Sequence, residues 1–546
     1  MRKILFIVLP NMTFANFVSP GTNVRHVRRK DGKYYGSILT DMPLGVLSMS
    51  GYIKSHVDVE VRAIDFNLEL NSDEGFPYDS FAPFFERLLR RGDYSPDIVG
   101  ISALFTPSFA SLLQVGAICR NLYPQAVILA GGSVPASMYR EIFSHPDGDH
   151  FDAFCFGEGE RPLLELVNAE DMHACLRQRP VWITRAKVEQ QEEFMHDFIE
   201  DLDEIPFYDY ELLPMARYGD NPAISAYAGV TDRRKPFHVM TSRGCPFKCS
   251  FCASHVLHGR AMRYYSVERV REDFKRLAEQ YGATTLVFQD DHFMGDVKRA
   301  YQIIRMIKEL GLTAVFQNGL ALYALKRPML EALHDAGVRQ LLLSVETGSE
   351  RVLREVMHKP LKLSIIRQVS DDCRELDIYT NTNILIGLPG ETKQDIEDTR
   401  AFLKTVNSNW FLIFCANPLV GSEIHRIAVE RGYLTDRFIG SDYKEAVLET
   451  EEFSAEYIQE MAYVMNLELN FVHNSDMRLG NYAAALDGFR NVMRVKHDHV
   501  FAYYHAALCC TQLGDEEQSM HYLTEARRYA TNDFWKKYVA MFALPL

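Results

Sequence analysis

Six short apolar segments alternate with helical segments between residues 236 and 435. The apolar segments are PFHVMTS, TTLVFQDD, TAVFQNG, QLLLSVE, TNTNILIG and WFLIFCANP. Helices are predicted near residues 267–280, 296–310, 328–336, 362–376 and 391–406. Strands that alternate with helices form a parallel sheet. Six such units in one run predict a partial TIM-like barrel, a (β/α)6 form that lacks two of the eight units of a complete barrel.

Residues 1–165 show the same alternation with shorter elements. Strands are predicted at KILFIVLP, VEVRAIDFN, DIVGISAL, AVILAGG and DAFCFGEG, and helices around 43–56, 108–122 and 135–144. The strands are rich in Val, Ile and Leu and lack a polar alternate face, which is typical of strands buried on both sides. The pattern predicts an α/β domain with a Rossmann-like, doubly wound parallel sheet. Ligands of such sheets bind beyond the carboxyl ends of the strands.

The remaining regions are less regular. Residues 166–235 mix acidic residues, Pro and aromatics, and we interpret them as a linker. Residues 450–546 lack strand signals, and Leu479-Gly480 and Leu513-Gly514 recur 34 residues apart. Helix pairs with this period are typical of tetratricopeptide (TPR) repeats, so an all-α, TPR-like region is predicted. Fewer than three clear copies do not make a stable array, so we expect this region to pack on the barrel, as a groove for a protein partner or as a stabilising cap.

Bulk composition restricts the function. A net charge of −14 argues against a protein that binds RNA or DNA through its phosphates. The apolar run at residues 4–9 is too short to span a bilayer and lacks a signal-peptide cleavage site, so we expect no membrane span and a cytoplasmic location. Seven of the ten cysteines are scattered along the chain, which does not indicate a disulfide framework.

Cys245, Cys249 and Cys252 lie in one short loop, MTSRGCPFKCSFCAS, directly after the first predicted barrel strand. That position is the carboxyl face of the barrel, where barrel enzymes place their active sites. Three thiolates this close together can hold three irons of a [4Fe–4S] cube and leave the fourth iron open to an outside molecule. A structural zinc site needs four closed ligands, and in that alternative His255 or His258 supplies the fourth.

The cysteine loop and the strand ends that follow it resemble those of radical S-adenosylmethionine (radical SAM) enzymes. The resemblance implies that the open iron binds the amino and carboxylate groups of SAM, and that an electron from the cluster cleaves SAM to a 5′-deoxyadenosyl radical. It also implies SAM contacts at successive strand ends by Asp290, Gln317, Ser344, Glu346, Gly387, Leu388 and Pro389.

Residues 1–165 resemble the cobalamin-binding domain that precedes the barrel in a large subgroup of these enzymes. The similar segments are DMPLGVLSMSGYIKS, VRAIDFN, PDIVGISALFTPS, VILAGGSVPAS and FCFGEGERPLLEL. The resemblance implies a cobalamin site formed by Asn11, Asp65, Ser102, Gly131, Gly132, Ser133, Gly157 and Glu158. A flavodoxin-like domain without a ligand has the same glycine turns.

One motif departs from the pattern of some cobalamin domains. Asp-x-His-x-x-Gly, which gives the cobalt a histidine ligand, does not occur in residues 1–165. The string occurs once, as Asp290, His292 and Gly295, on the second barrel strand, where we interpret it as coincidence. A cobalt without a protein histidine is compatible with the radical SAM subgroup.

The resemblance implies a cobalamin-dependent radical SAM enzyme, foremost a methyltransferase that acts on an unactivated carbon. One SAM would supply the methyl group of methylcobalamin, and a second SAM would create the substrate radical. A cyclase or rearrangement enzyme of the porphyrin ring cyclase type is the alternative. A methylthiotransferase fits less well, because Cys119, Cys155 and Cys175 are too late and too uneven for its second cluster. A non-catalytic scaffold conflicts with the intact cysteine loop.

The expected partners follow from the same resemblance. They are a small-molecule substrate, lipid-like or tetrapyrrole in kind, an electron donor such as flavodoxin or ferredoxin, and a protein bound to the TPR-like tail. No nucleic acid partner is expected.

Overall fold

The computed structural model describes residues 1–20, 26–219, 235–439, 441 and 445–546. Residues 220–234, at the end of the predicted linker, lie outside this described part. Within it, no helix is both long and apolar enough to cross a membrane.

The N-terminal domain is built on one largely parallel sheet. The strands of this domain are β1 (Arg2–Val8), β2 (His26–Arg28), β3 (Tyr34–Gly36), β4 (Val59–Asp65), β5 (Ile98–Ser102), β6 (Val127–Gly131), β7 (Ala153–Cys155) and β8 (Trp182–Ile183). Six of them pair in the order β4-β1-β5-β6-β7-β8, and the first five in that order run parallel. β2 and β3 form a separate hairpin. The predicted doubly wound sheet is confirmed, and its order reverses beside β1, which opens a crevice between β1 and β5.

Helices pack on both faces of this sheet because both faces are apolar. The helices are α1 (Phe14–Val18), α2 (Leu44–His56), α3 (Phe66–Ser72), α4 (Phe81–Leu89), α5 (Phe109–Leu122), α6 (Ser133–Ser137), α7 (Tyr139–Ser144), α8 (Glu160–Asn168), α9 (Met172–Gln178) and α10 (Arg185–Glu189). Along β1, Leu5 and Ile7 pack into one buried cluster, whereas Ile4 and Phe6 pack into another. Alternate side chains of a strand point to opposite faces, so the apolar run is buried on both sides.

The segment predicted as a linker contributes residues to the N-terminal domain and to the barrel. β8 pairs antiparallel with β7 and extends the N-terminal sheet. Further along the segment, Ile199, Leu202 and Tyr210 are buried in the core of the barrel. The segment therefore packs against both domains.

The second domain is the partial barrel. Its strands are β9 (Pro236–Val239), β10 (Ser242–Arg243), β11 (Arg263–Tyr264), β12 (Thr285–Phe288), β13 (Thr313–Phe316), β14 (Gln340–Glu346), β15 (Tyr379–Ile386) and β16 (Trp410–Cys415). Its helices are α11 (Ser254–His258), α12 (Val267–Tyr281), α13 (Val297–Glu309), α14 (Arg327–Asp335), α15 (Leu363–Glu375), α16 (Lys393–Leu403) and α17 (Glu423–Arg431). β9, β12 and β13 pair in parallel, as do β14, β15 and β16. A parallel bridge between Leu320 and Leu343 joins the two halves, so the predicted partial barrel is confirmed.

The C-terminal region is helical. Its helices are α18 (Ala455–Leu467), α19 (Ser475–Arg478), α20 (Tyr482–Val495), α21 (Val500–Gln512), α22 (Glu516–Tyr529) and α23 (Asp533–Met541). Gly480 and Gly514, the glycines of the predicted 34-residue period, both have a φ of 79° and precede α20 and α22. The TPR assignment itself stays a prediction.

The C-terminal region covers the free edge of the barrel. Asn470 donates a hydrogen bond from its side-chain amide to Phe411 O and accepts one from Phe411 N, both at 2.8 Å. Phe411 belongs to β16, the last strand, whose outer edge would otherwise present unpaired backbone groups. Asn470 reaches this edge from a π-helical turn over Glu468–Val472. The C-terminal region therefore caps the barrel.

Asn470→Ala is expected to lower the free energy of unfolding by about 2–6 kcal/mol, because two buried backbone groups of Phe411 lose their partners at about 1–3 kcal/mol each. Asn481→Ala is the control, at an exposed position whose side chain caps no helix. It should cost less than about 0.5 kcal/mol. Urea denaturation measures both, and equal costs would contradict the edge-capping role.

Two buried histidines make the C-terminal region sensitive to acid. Burial lowers the pKa of His499 to about 3 and that of His505 to about 4. The unfolded imidazole titrates near pH 6.5. The contribution of these two histidines to stability is therefore expected to be complete above that pH. It should fall as the pH drops towards 4, by up to about 1.4 kcal/mol per pH unit for each histidine.

His499→Asn tests this titration. The variant keeps a side-chain acceptor for Ala502 N at the start of α21 but cannot gain a proton. Thermal denaturation between pH 7 and pH 4 should show a shallower loss of stability for the variant. Parallel curves for the two proteins would show that His499 does not cause the acid sensitivity.

Candidate functional site

The cysteine loop, defined here as residues 244–262, is closed at its base by the antiparallel pair β10 and β11. Gly244 begins the loop with a φ of 91°. A Cβ at this position would lie 2.2 Å from the carbonyl oxygen of Ala261, so only glycine allows the two ends of the loop to approach this closely. Asp291, just after β12, accepts a hydrogen bond from Gly244 N at 3.3 Å. The start of the loop is thus tied to the mouth of the barrel.

The three predicted cluster ligands lie on one anchored turn of this loop. Cys245, Cys249 and Cys252 are free thiols, each half-buried. Cys252 N donates to Cys249 O at 3.1 Å, and Ser250 Oγ donates to Val356 O at 2.6 Å. The turn is therefore positioned by the barrel as well as by its own backbone.

Two thiols of this turn, those of Cys245 and Cys249, lose protons less readily than a free cysteine. Burial raises the pKa of Cys245 to about 11, and the charges of Cys252 and Asp291 add to the effect. Burial also raises the pKa of Cys249, against the opposing effect of Lys359. Three adjacent thiolates therefore need a cationic centre. Three thiolates with one iron left open are the donor set of a [4Fe–4S] cube, and this turn fits it.

The zinc alternative has less support. His258 Nδ1 lies 2.8 Å from Glu158 Oε1, so its imidazole is engaged with that carboxylate. Across the ranges that the structure describes, no three His, Cys, Asp or Glu side chains converge closely enough to hold a single metal ion. Ligands at different corners of a cube lie further apart than ligands of one ion, so the same observation is compatible with the cluster.

A cavity of about 220 Å³ opens beside the cysteine loop. It is lined by Phe251, Glu346, Asn383, Leu385, Phe414, Cys415, Asn417 and Leu419. Phe251 lies between two of the loop cysteines in sequence, and most of the other residues lie at the carboxyl ends of β14, β15 and β16. The cavity thus connects the loop with the strand ends at which SAM contacts were predicted.

Among the predicted SAM contacts, Glu346 lines this cavity. Its φ of 71° lies in the left-handed region, and the pairing of β14 with β15 shifts register at this residue. Such a backbone costs about 1–3 kcal/mol and is typical of functional sites. Its carboxylate accepts a hydrogen bond from Lys359 Nζ at 2.9 Å, and the same ammonium lies 5.7 Å from the centre of the Phe251 ring. Lys359 therefore links the cavity to the cysteine loop.

Asp290, a predicted SAM contact, hydrogen-bonds to residues just after β9 and at the start of β10. It is buried, and its Oδ1 accepts hydrogen bonds from Thr241 Oγ1 at 2.7 Å and Ser242 Oγ at 2.6 Å. Thr241 N lies 3.1 Å from both oxygens. Burial raises the pKa of this carboxyl, against these hydrogen bonds. The contacts favour support of the strand that leads into the cysteine loop over a direct contact with SAM.

Gln317 and Ser344 lie at the ends of neighbouring strands. Gln317 donates to Asp41 Oδ2 at 3.0 Å and accepts from Gln289 Nε2 at 2.7 Å. Asp41 comes from the N-terminal domain and also contacts His238 Nε2 at 2.9 Å. Ser344 is half-buried on β14. For both residues a contact with SAM stays a prediction.

The turn formed by Gly387, Leu388 and Pro389 is held from behind. Gly387 N and Leu388 N donate to Glu391 Oε2 at 2.6 and 3.1 Å. A Cβ at Gly387 would lie 2.8 Å from Ile458 of α18, so the C-terminal region packs against this turn. Leu388 is fully buried, and a contact of this turn with SAM stays a prediction.

The central part of the predicted cobalamin site lies at the carboxyl edge of the N-terminal sheet. Gly131 ends β6, Gly132 has a φ of 103°, and Ser133 begins α6. A Cβ on Gly132 would lie 2.4 Å from Ala103 O, so the chain passes here without room for a side chain. The neighbouring Leu104 is 46% exposed. A half-buried turn without side chains at Gly131 and Gly132, beside an exposed apolar side chain, fits a large flat ligand such as a corrin.

Asn11, Asp65 and Ser102 lie at the ends of β1, β4 and β5, around the crevice of the sheet. Asn11 N donates to Asn67 Oδ1 at 3.1 Å. Asp65 is buried and accepts from Asn67 N at 2.8 Å and from Tyr218 Oη at 2.7 Å. Because both oxygens of Asp65 are engaged, its contacts favour support of the crevice over direct contact with a ligand.

Gly157 and Glu158 face the barrel. Glu158 Oε2 lies 2.9 Å from Nη1 of Arg243 and of Arg263. A Cβ at Gly157 would lie 3.2 Å from Leu257 O of the cysteine loop. Buried arginines at the base of the cysteine loop pair with this carboxylate, and a contact of Glu158 with cobalamin stays a prediction.

A small apolar cluster joins the two predicted cofactor sites. Ala136 of α6 and Phe156 pack against Ala253 and Val256 of the cysteine loop. The helix that follows the glycine turn therefore touches the loop that carries the three thiols.

Three residues of this site were not predicted from the sequence. Lys359 and Arg243 give no local signal, because their partners are distant in the chain. Asn383 has a weak one, because Asn381 and Asn383 share one face of β15, while Thr380 and Thr382 lie on the other face. Polar residues with period two in a buried barrel strand point to the barrel interior.

Comparison with protein families gives two matches. Residues 239–403 match the radical SAM superfamily, and residues 40–167 match the B12 binding domain. These ranges contain the cysteine loop and the glycine turn, respectively.

Similar proteins cover most of the chain. The cytidylyl-2-hydroxyethylphosphonate methyltransferase of Streptomyces wedmorensis is 26% identical over 414 residues, 69% of this chain and 76% of that protein. The anaerobic magnesium-protoporphyrin IX monomethyl ester cyclase of Cereibacter sphaeroides is 24% identical over 314 residues, 56% of this chain and 49% of that protein. The structure of the radical S-adenosylmethionine methyltransferase TsrM from Kitasatospora setae, with cobalamin and a [4Fe-4S] cluster bound, has a TM-score of 0.57 at 15% identity and covers 96% of this chain and 99% of that chain. The fold is shared along nearly the whole chain.

Proposed function

We propose that this chain, a radical SAM enzyme with a B12-binding domain, is a cobalamin-dependent methyltransferase that acts on an unactivated carbon of a small molecule. The observation that carries the proposal is the packing of Ala136 and Phe156 against Ala253 and Val256. It brings the B12-binding edge and the cysteine loop into contact. A radical source and a methyl carrier serve one substrate carbon only when both are held close to it.

The residues of the chain bind and orient the cofactors in this proposal. When bound, the cluster supplies the electron that cleaves SAM, and cobalamin carries the methyl group. The three loop cysteines would hold the cluster. Glu346, fixed by Lys359, would orient SAM in the cavity, and the turn at Gly132 would let cobalamin approach the backbone. Phe251 and Leu385 would exclude water from a reactive carbon radical.

Ring cyclisation is the second candidate. The cyclase from Cereibacter sphaeroides favours it, but the match spans only 49% of that protein, whereas the methyltransferase from Streptomyces wedmorensis is matched over 76% of its length. In both candidates the substrate is a small molecule and the reductant an electron-transfer protein of the flavodoxin or ferredoxin kind.

Anaerobic reconstitution with iron, sulfide and cobalamin tests the proposal. With SAM and a chemical reductant, we expect S-adenosylhomocysteine, because transfer of a methyl group from SAM leaves this product. We also expect 5′-deoxyadenosine and methionine from reductive cleavage. Only 5′-deoxyadenosine, without S-adenosylhomocysteine, would favour the cyclase. Protein that contains zinc and lacks iron–sulfur absorption would contradict both candidates.

A further inference from the structure

Arginines occupy both strands that close the cysteine loop. Arg243 on β10 and Arg263 on β11 are direct partners in the antiparallel pair. Both side chains are only 3% exposed, although a guanidinium is always charged. A buried charge is costly unless it is paired. The partners of these two arginines therefore decide how the base of the loop is held.

Glu158 of the B12-binding domain pairs with both arginines. Its Oε2 lies 2.9 Å from Arg243 Nη1 and accepts from Arg263 Nη1 at 2.9 Å. Its Oε1 accepts from Arg263 Nη2 at 2.5 Å and lies 2.8 Å from His258 Nδ1, at the end of α11. One carboxylate thus contacts the incoming strand, the outgoing strand and the helix of the cysteine loop.

A second carboxylate of the same domain supports this arrangement. Arg243 Nη2 donates to Glu160 Oε1 at 2.7 Å. Ser48 Oγ of α2 donates to the same oxygen at 2.6 Å. Glu160 is 3% exposed and Ser48 is 1% exposed, so the network is closed to solvent.

The groups around Glu158 favour the ionised form of its carboxyl. Burial alone would raise the pKa of Glu158, but Arg243, His258 and Arg263 hold it well below its usual range. Burial alone would lower the pKa of His258, but Asp291 and Glu158 raise it. Glu158 is therefore ionised, and it pairs with Arg243 and Arg263 at the base of the loop and with His258 inside it.

Stability alone gives a weak reason for such a network. Replacement of a buried ion pair by apolar residues is often neutral or even stabilising, whereas charged groups with directional hydrogen bonds can specify one arrangement. Here the arrangement that is specified is the position of the cysteine loop relative to the B12-binding domain.

We propose that Glu158 is a positioning residue that fixes the cysteine loop, and with it the cluster, at a set distance from cobalamin. The inference rests on the proposed function, because it concerns two cofactors that serve one substrate. The side chain of Glu158 contacts Arg243, Arg263 and His258, none of which is a predicted cluster ligand. Its effect passes through Arg243 and Arg263.

Glu158→Gln tests the proposal in the reconstituted full-length protein. Glutamine keeps the shape and one acceptor but removes the charge that joins the arginines. Cob(II)alamin and a reduced cluster are both paramagnetic, and the interaction of their spins depends on the distance between them. In wild-type protein we expect pulsed electron paramagnetic resonance to show one defined spin–spin interaction, and thus one distance between the two centres. In the variant we expect a broad distribution, with unchanged iron and cobalamin content and about 10–100-fold slower release of 5′-deoxyadenosine.

Glu165→Gln is the matched control. Glu165 lies in the same domain and pairs with Arg179 at 2.8 Å, and this ion pair includes no residue of the cysteine loop or of β10 and β11, so its variant should behave as wild type. If Glu158→Gln is insoluble, Arg263→Lys carries the test, because lysine keeps the charge but cannot make two parallel contacts.

A wild-type-like spin interaction in the variant would overturn the positioning role. Failure of the proposed function would look different. The wild-type protein would then show both paramagnetic centres but release no S-adenosylhomocysteine, which would contradict methyl transfer and leave the positioning role to be judged from the spin interaction.

Discussion

Replacement of Cys249 by alanine is expected to stop the reductive cleavage of SAM. The loop then offers two thiols, which cannot hold three corners of a cube. The rate of 5′-deoxyadenosine release should fall by more than about 100-fold, beyond the 10–100-fold that changes around metal ligands typically cost. Iron and sulfide content after anaerobic reconstitution should fall with it. Chromatography of the nucleoside products and iron analysis measure the two effects.

Cys175→Ala provides the comparison for this experiment. Cys175 is a half-buried free thiol outside the cysteine loop, so its loss should change neither iron content nor SAM cleavage. Wild-type cleavage by the Cys249 variant would show that the loop does not bind the cluster, and the proposed function would fail with it.

Replacement of Gly132 by alanine is expected to release cobalamin from the N-terminal domain. Gly132 has a φ of 103° and a ψ of 179°, a conformation that only glycine adopts readily and that costs another residue about 1–3 kcal/mol. The new methyl group would also lie 2.4 Å from Ala103 O, so the turn between β6 and α6 must shift. A cost of about 1.4 kcal/mol at the binding surface already weakens binding tenfold, and we expect at least that loss. Equilibrium dialysis with hydroxocobalamin measures it.

Gly131→Ala is the control for Gly132→Ala. It adds a methyl group to the same turn without the backbone strain of Gly132. A Cβ at Gly131 meets only Cys155 Cβ, at 3.9 Å, which is ordinary contact. This variant should fold normally. If it binds cobalamin as wild type does while Gly132→Ala does not, the turn acts through its backbone geometry. If Gly132→Ala retains cobalamin at wild-type affinity, the ligand binds elsewhere.

The sequence predicted the barrel closely because most of its parallel strands contain a short apolar run and are followed by amphipathic helices. The predicted helix at 267–280 is observed at Val267–Tyr281, and that at 362–376 at Leu363–Glu375. β8 was missed because two residues, Trp182 and Ile183, are too few for any periodicity. The pairing of β10 with β11 was missed for the same reason.

The site was less predictable than the fold. The spacing of the three cysteines is a local signal, and so are the glycines that require positive φ. The partners of Glu158 and Glu346 are not local, since Arg263 is about a hundred residues from Glu158 and no pattern records such a distance. The left-handed backbone of Glu346 likewise depends on the register shift between β14 and β15, which neither strand shows alone.

The cap that Asn470 places on β16 has a consequence for protein synthesis. The ribosome delivers the sixth barrel strand before it delivers the residues that cover that strand. During this interval the nascent chain carries an unpaired parallel edge, which is a site of association with other chains. C-terminally shortened forms keep that edge permanently. Their soluble yield should therefore collapse even though every thiol of the cysteine loop is present.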